Sequence, residues 1–170
     1  IVELVNDTDP VVLHGYTNSN SGYPEVREAI AKSLNERFDT KFSGKNIVMT
    51  VGAAGGLNVI LKSLINPGDE VIAFAPYFGE YRSYTNNYDG VLVEISPNTV
   101  DFQPKLDEFE QKITPKTKAM IINYPSNPTG GVMTKEDYAK IIDIIKESGI
   151  YVISDEIYAE LSFDQPFASL

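Results

Sequence analysis

Residues 119–131 carry the sequence AMIINYPSNPTGG, in which an apolar run passes directly into a polar, turn-forming run. A second passage of this kind, YVISDEIY, occupies residues 151–158. The residues between them, 135–148, have the apolar spacing of a helix, with Thr134 as N-cap and Asp137 as the capping-box acid. The pattern predicts two strands joined by a helix, each strand followed by polar side chains.

The rest of the chain alternates in the same way. Further strands are predicted at residues 46–51, 70–74 and 91–95, and further helices at residues 24–38, 57–65 and 106–113, with a tyrosine-rich helix ending near residue 87. The strands are continuous apolar runs, which is typical of a sheet covered on both faces. The sequence therefore predicts an α/β fold, a three-layer α/β/α sandwich with a mostly parallel sheet.

Two of these helices have a predicted apolar stripe, and the stripe of the second is predicted to be buried. The stripe of the first lies on the helix opened by Pro24, with Arg27 and Glu28 facing water, and that of the second lies on the helix after Thr134. The stripe residues are Val26, Ala29, Ile30, Leu34 and Phe38 in the first helix, and Tyr138, Ile141, Ile142 and Ile145 in the second.

Composition excludes several classes of function. The 170 residues carry a formal net charge of −10, so no basic surface for nucleic acid is expected. The chain has no cysteine and a single histidine, His14, which argues against metal sites and against thiol or Ser-His-Asp catalysis. No apolar run is long enough to span a bilayer, and the start of the chain shows no signal sequence, so we expect no membrane partner and a cytoplasmic location.

The polar residues that follow the two strands are predicted to form one site. The carboxyl ends of parallel strands meet at one edge of a sheet, so Asn127, Asp155 and Tyr158 should lie close together. An amide, a carboxylate and a phenol together suit a polar, cationic heteroaromatic ligand. A carboxylate after an apolar strand is costly unless it meets a positive partner, either a ligand or a structural arginine.

Three other features have both a functional and a structural interpretation. Residues 52–56, GAAGG, lie between a strand and a helix, where backbone amides bind an anion or simply form a tight turn. Tyr77 and Phe78 follow another strand and could stack on a flat ligand or belong to the core. Tyr16 lies in a polar loop and could serve a ligand or only decorate the surface.

Taken together, these runs resemble the class I/II aminotransferases, which are fold type I pyridoxal-5′-phosphate enzymes. The resemblance extends over essentially the whole chain. It is carried by residues 123–130 and 155–158 and, in the same order as in the family, by residues 15–17, 51–54, 66–71 and 76–81. It implies that the chain is the cofactor-binding large domain of such an enzyme, in incomplete form.

The resemblance implies how the ring of the cofactor is held. Phe78 would stack on the pyridine ring, Asp155 would pair with the ring nitrogen, and Asn127 and Tyr158 would bind the ring's 3′ oxygen. A protonated ring is an electron sink for a carbanion, so these residues would keep it protonated and oriented. The resemblance also predicts a cis peptide bond between Asn127 and Pro128.

The cofactor's phosphate is assigned by the resemblance to two groups of residues. Backbone amides of Ala53 and Ala54 would hold it within one subunit. Tyr16 would reach a phosphate in the neighbouring subunit of a homodimer. Ala54 and Gly55 replace side chains that often help to bind phosphate in the family, so the backbone would carry more of that task.

Two groups that the family needs have no counterpart in this sequence. The lysine that forms a Schiff base with the cofactor lies beyond the residues that match 155–158, and none of the eleven lysines here has a matching context. The arginine that binds the substrate carboxylate belongs to a C-terminal domain. We therefore expect a fragment with no catalytic residue of its own, consisting of an N-terminal segment, residues 1–22, and a partial large domain, residues 23–170.

The predicted function of the whole protein is transfer of an amino group from an amino acid to a 2-oxo acid, with the fragment itself inactive. A pyridoxal-phosphate-dependent C–S β-lyase of the same fold would share Asn127, Asp155 and Tyr158, so that alternative stays open. A third interpretation is a non-catalytic regulatory domain that senses the cofactor. The sequence leaves the amino-acid substrate undetermined.

Overall fold

The structure, a computed structural model, describes residues 2–17, 19–163 and 167–170. The chain divides into two compact units, Ile1–Gly52 and Ala53–Leu170. Division of the chain into an N-terminal segment, residues 1–22, and a partial large domain, residues 23–170, stays a prediction.

The first unit is helical. Its elements are α1 (Val2–Asp7), α2 (Pro10–His14), α3 (Pro24–Phe38) and a 3-10 turn at Gly44–Asn46. Proline opens both α2 and α3, where its missing N–H leaves no hydrogen bond unmade. The sequence predicts α3 with the correct bounds, whereas α1 and α2 were not predicted because the first thirteen residues lack a clear period.

The predicted strand at residues 46–51 does not form. Ile47 donates its backbone N–H to the Gly44 carbonyl at 3.3 Å, and Met49 donates to the Ser21 carbonyl at 2.9 Å. No strand among the described residues pairs with this segment. Its β-branched residues favour an extended chain, but a strand needs a neighbour that completes the ladder.

Two residues of α3 that were predicted to face water form hydrogen bonds that hold the 3-10 turn in place. Arg27 donates to the carbonyls of Gly44 and Ile47 at 3.0 and 3.3 Å, and Glu28 accepts the Gly44 N–H at 2.7 Å. The buried residue of α3 is Ala31, and none of the predicted stripe is buried within this structure. Arg27 therefore does not face water as predicted, because its guanidinium is used to hold the turn.

The second unit alternates helices and strands as predicted. The helices are α4 (Gly52–Leu64, starting at the last residue of the first unit), α5 (Glu80–Asn86), α6 (Leu106–Lys112) and α7 (Lys135–Ile145). The strands are β1 (Glu70–Phe74), β2 (Val91–Ile95), β3 (Thr117–Asn123) and β4 (Tyr151–Asp155), followed by a 3-10 turn at Ala159–Leu161. Within the described ranges, no helix is both long enough and apolar enough to cross a membrane.

The sheet is parallel throughout and has the order β2-β1-β3-β4. Alternate residues of the central strands point to opposite faces, so Ile72 and Met120 join one core while Val71 and Ala119 join another. The first core contains side chains of α6 and α7, and the second contains side chains of α4 and α5. Helices therefore cover both faces of the sheet, which confirms the three-layer α/β/α sandwich.

Helix α7 begins where the sequence places it. The Thr134 hydroxyl accepts the Asp137 N–H at 3.2 Å while the Asp137 carboxylate accepts the Thr134 N–H at 3.1 Å, which completes the predicted capping box. Ile141 is 0% exposed, but Ile142, placed in the same stripe by the sequence, is 46% exposed. That part of the stripe prediction is wrong, because consecutive residues on a helix face different directions.

Candidate active site

The second unit contains a cavity of about 230 Å³ at the carboxyl end of its sheet. Strand β1 lies between β2 and β3, so the chain moves outward from β1 in opposite directions on its two sides. In open parallel sheets ligands bind at such a reversal point, outside the carboxyl ends of the strands. The residues that line the cavity are Ala53, Ala54, Leu57, Phe78, Tyr81, Asn123, Asn127, Asp155, Ile157 and Tyr158.

Asp155 is the last residue of β4 and supplies the carboxylate of this cavity. It lies two residues after Ile153, which belongs to the core under α4 and α5, so alternation along the strand directs both side chains to the same face. The Tyr81 hydroxyl donates to Asp155 Oδ2 at 2.6 Å. The residue is half-buried, and within the described part of the chain it forms no ion pair with a basic side chain. Asp155 therefore keeps unused acceptor capacity inside a ligand-sized cavity.

Tyr81 is a site residue that the sequence did not indicate by itself. It lies in the first turn of α5, is 1% exposed, and reaches Asp155 across 74 positions of sequence. Burial raises the pKa of the Tyr81 phenol above its ordinary value of 10.0, and the hydrogen bond to Asp155 raises it further. The phenol therefore stays protonated, and remains a donor to the carboxylate, well into the alkaline range. Its place in the run at residues 76–81, three residues after Phe78, is the signal that could have revealed it.

Asn127 and Tyr158 are brought together as the sequence predicts. The Asn127 side-chain amide donates to the Tyr158 hydroxyl at 3.4 Å, and both residues line the cavity. The backbone N–H of Asn127 is held by the side chain of Asn123 at 2.9 Å. Asn123 in turn donates to the backbone carbonyl of Asp155 at 2.8 Å, so the two strand ends are joined by hydrogen bonds.

The peptide bond between Asn127 and Pro128 is cis, as the resemblance implies. The bonds from Tyr124 to Pro125 and from Ala75 to Pro76 are also cis, which was not predicted.

Of the two aromatic residues after β1, Phe78 belongs to the site. It lines the cavity and packs edge-on against the ring of Tyr81, with 5.7 Å between ring centroids. Tyr77 is engaged elsewhere, since its hydroxyl donates to Glu94 and accepts from Arg82 at 3.0 Å. The structure thus leaves Phe78 as the aromatic face available to a ligand.

Ala53 and Ala54 line the cavity from the first turn of α4. The helix begins at Gly52, whose φ is +67°, rather than at residue 57, so the glycine-rich run is its first turn and not a loop. Backbone N–H groups in a first turn have no intrahelical acceptor, and the helix dipole adds partial positive charge there. This end of the cavity therefore favours an anion.

Tyr16 lies in the first unit, and its side chain is fully exposed. Its predicted role toward a neighbouring subunit stays a prediction.

The donor set of the cavity fits one kind of ligand. Amides in a helical first turn suit a phosphate, Phe78 suits a flat ring, and Asp155 suits a cationic ring nitrogen. The side chains of Asn127 and Tyr158 add hydrogen-bonding groups for a ring oxygen. No lysine, arginine or histidine is among the described lining residues, so none of them competes for the carboxylate. The residues present therefore fit pyridoxal 5′-phosphate.

Comparison with known proteins places this geometry in a family. A family profile described as aminotransferase class I and II matches residues 5–170. An aminotransferase of Bacillus subtilis (strain 168) is 39% identical over 161 residues, and the aspartate aminotransferase of Thermotoga maritima is 36% identical over 156 residues. These alignments cover 92% and 91% of this chain.

A solved structure supports the same family assignment. The amino transferase of Eubacterium rectale superposes with a TM-score of 0.92 at 40% sequence identity and covers 98% of this chain. This chain spans about two fifths of these relatives, namely 42% and 41% of the two sequences and 44% of the solved chain. On this agreement of sequence and structure, the chain belongs to the aminotransferase class I and II family.

Proposed function

We propose that these residues form the cofactor-binding part of a pyridoxal-5′-phosphate-dependent aminotransferase, which transfers an amino group from an amino acid to a 2-oxo acid. The observation that carries the proposal is Asp155, a half-buried carboxylate that faces a cavity and is held by Tyr81 rather than by a basic side chain. The name of the Thermotoga maritima relative, aspartate aminotransferase, supports amino transfer as the reaction.

Each residue of the site has a definite task in this proposal. Asp155 supplies the negative charge that binds a protonated ring nitrogen, and Tyr81 holds that carboxylate in one orientation. Asn127 and Tyr158 bind the ring oxygen, and Phe78 covers the ring and excludes water from one side. When bound, the cofactor supplies an electron sink for the carbanion formed at the substrate's α-carbon.

We further propose that the lysine that binds the cofactor covalently lies outside these 170 residues. No lysine is among the described residues that line the cavity. Such a lysine would serve both as the covalent anchor and as the group that moves the α-proton. The 170 residues alone should therefore not turn over substrate.

A homodimer is part of the same proposal. Tyr16 would bind the phosphate in the partner subunit, and its exposed side chain is available for that contact. In the full-length protein, Tyr16→Phe should weaken cofactor binding without changing the mass of the dimer in solution. Unchanged binding would remove Tyr16 from the site.

The test of the proposal is amino transfer by the full-length protein, measured as formation of a new amino acid from a 2-oxo acid acceptor. Asp155→Asn should lower the rate roughly 100- to 1,000-fold, the scale on which loss of one electrostatic group slows an enzyme. Asp143→Asn is the matched control, because Asp143 lies on the exposed face of α7 with its side chain 75% exposed. Release of pyruvate and ammonia without amino transfer would indicate a β-lyase instead, and absence of pyridoxal phosphate binding would refute the proposal.

A further inference from the structure

Asn123 is a buried polar residue that touches both loops of the site. It is the last residue of β3, is 8% exposed, and pairs in register with Asp155 at the end of β4. Facing residues of adjacent parallel strands point to the same side of the sheet, so its amide lies on the same face as the Asp155 carboxylate. The roles proposed above do not use this side chain.

Both ends of the Asn123 amide are occupied. Its oxygen accepts the Asn127 backbone N–H at 2.9 Å, and its nitrogen donates to the Asp155 backbone carbonyl at 2.8 Å. One end must accept and the other must donate, which an amide does and a carboxylate does not. An apolar side chain of the same size would leave two buried backbone groups without a partner, which is costly.

These two bonds complete a ring of connections around the cavity. Asn123 links Asp155 to Asn127, and Asn127 bonds Tyr158 at 3.4 Å. Tyr158 returns to Asp155 through three peptide bonds of the chain. This closed set of links includes Asp155, which would bind the nitrogen of the cofactor's pyridine ring. It also includes Asn127 and Tyr158, which would bind the oxygen on that pyridine ring.

We propose that Asn123 is a positioning residue that fixes the separation of Asn127 and Asp155 before the cofactor binds. The inference rests on the proposed function, because it concerns the same site. Pre-organised groups bind more tightly because less freedom is lost on binding. Loss of the Asn123 amide should therefore weaken cofactor binding beyond any effect on folding.

The experiment measures the dissociation constant of pyridoxal 5′-phosphate for the full-length apoprotein, together with the melting temperature. Asn123→Asp preserves the size and the acceptor but loses the donor. It should weaken cofactor binding about 10- to 100-fold, by analogy with the loss of residues that orient metal ligands, which lowers metal affinity by about that factor. In an Asn127→Ala background the effect should be smaller, because part of it acts through Asn127.

Thr117→Val is the matched control. Thr117 begins the same strand, is also buried, and forms hydrogen bonds to Thr114 and Glu70 at the opposite end of the sheet. It should lower the melting temperature while changing the cofactor's dissociation constant less than twofold. If both variants lose stability but bind the cofactor equally well, Asn123 is only structural and the inference is overturned.

Two further outcomes separate this inference from the proposed function. A parent protein that does not bind pyridoxal phosphate contradicts the proposed function itself, whereas normal binding by the parent and by Asn123→Asp contradicts the positioning role alone. If Asn123→Asp does not fold, Asn123→Ser gives the same comparison. Failure of both variants to fold overturns the inference, because the residue then serves the fold.

Discussion

The hydrogen bond from Tyr81 to Asp155 gives a sharp prediction for the variant Tyr81→Phe. The substitution removes one hydroxyl and preserves the ring, which is stacked 6.2 Å from Tyr77 and packed edge-on against Phe78 at 5.7 Å. The loss is therefore confined to one bond of 2.6 Å between a neutral donor and a half-buried carboxylate. Packing of the surrounding core should not change.

The magnitude follows from the charge on the acceptor. A hydrogen bond to a charged group contributes about 1.5–3 kcal/mol, against about 0.5–1.5 kcal/mol between neutral groups. Tyr81→Phe should therefore lower the free energy of unfolding of the apoprotein by about 1.5–3 kcal/mol. Cofactor binding weakens only by the further loss that falls on the bound state. A further loss of about 1.5–3 kcal/mol there would weaken pyridoxal phosphate binding about 10- to 150-fold, since about 1.4 kcal/mol is a factor of ten.

The assay is urea denaturation of the full-length apoprotein, followed by titration with pyridoxal phosphate. Tyr84→Phe is the matched control, since Tyr84 lies on the same helix and its hydroxyl has no hydrogen-bond partner among residues 2–17, 19–163 and 167–170. That variant should change the free energy of unfolding by less than about 0.5 kcal/mol. Equal urea midpoints for the two variants, with equal cofactor affinity, would refute the reasoning.

Three further predictions concern stability. Ile141→Ala should lower the free energy of unfolding by about 2–5 kcal/mol because its side chain is fully buried, whereas Ile142→Ala on the exposed face should stay within about 0.5 kcal/mol, as urea denaturation would show. Thr134→Ala should lower the free energy of unfolding by about 1 kcal/mol because it removes the cap of α7, whereas Thr134→Ser should retain the stability of the parent. Equal melting temperatures for the alanine and serine variants would contradict this. Burial raises the pKa of the Tyr124 phenol to about 12, so between pH 10 and 12 the unfolded chain loses this proton first. The contribution of Tyr124 to the free energy of unfolding is therefore fully present below pH 10 and is lost as pH rises through this window, by up to about 1.4 kcal/mol per pH unit. Urea midpoints measured across this pH range should decline less steeply for Tyr124→Phe than for the parent.

The strands of the second unit were predictable because each is a buried apolar run. Strands β1, β2, β3 and β4 form at the predicted places, since burial on both faces requires apolar residues at every position. Their order in the sheet was not predicted, because side chains that are apolar on both faces do not specify which strand lies beside which.

The errors fall where local pattern and long-range context disagree. Residues 46–51 have the composition of a strand, but the backbone there bonds to Gly44 and Ser21 instead of to a sheet. The run at residues 52–56 has the composition of a loop, yet it forms the first turn of α4 despite the low helix propensity of glycine. In both segments contacts with other parts of the chain determine the secondary structure, and those contacts cannot be derived from a window of a few residues.

The site itself separates into two groups that differ in how far the sequence reveals them. Asn127, Asp155 and Tyr158 lie at or just after the ends of β3 and β4, so the sheet edge alone brings them together and the sequence sufficed to predict their proximity. Tyr81 and Asn123 depend instead on contacts between elements, namely the packing of α5 over the sheet and the register of β3 with β4.

This division has a consequence for how the site would change by mutation. Asn127, Asp155 and Tyr158 would touch the ligand directly, so their loss should affect binding in any folded protein. The supporting pair, Tyr81 and Asn123, forms hydrogen bonds to Asp155 and Asn127, so its effect should diminish when those partners are already altered. The losses of cofactor affinity should be non-additive when Tyr81 is changed together with Asp155, or Asn123 together with Asn127, and additive when the distant Thr117 is changed instead. That result would show that the orientation of Asp155 and Asn127, and not merely their presence, determines how the cavity binds its ligand.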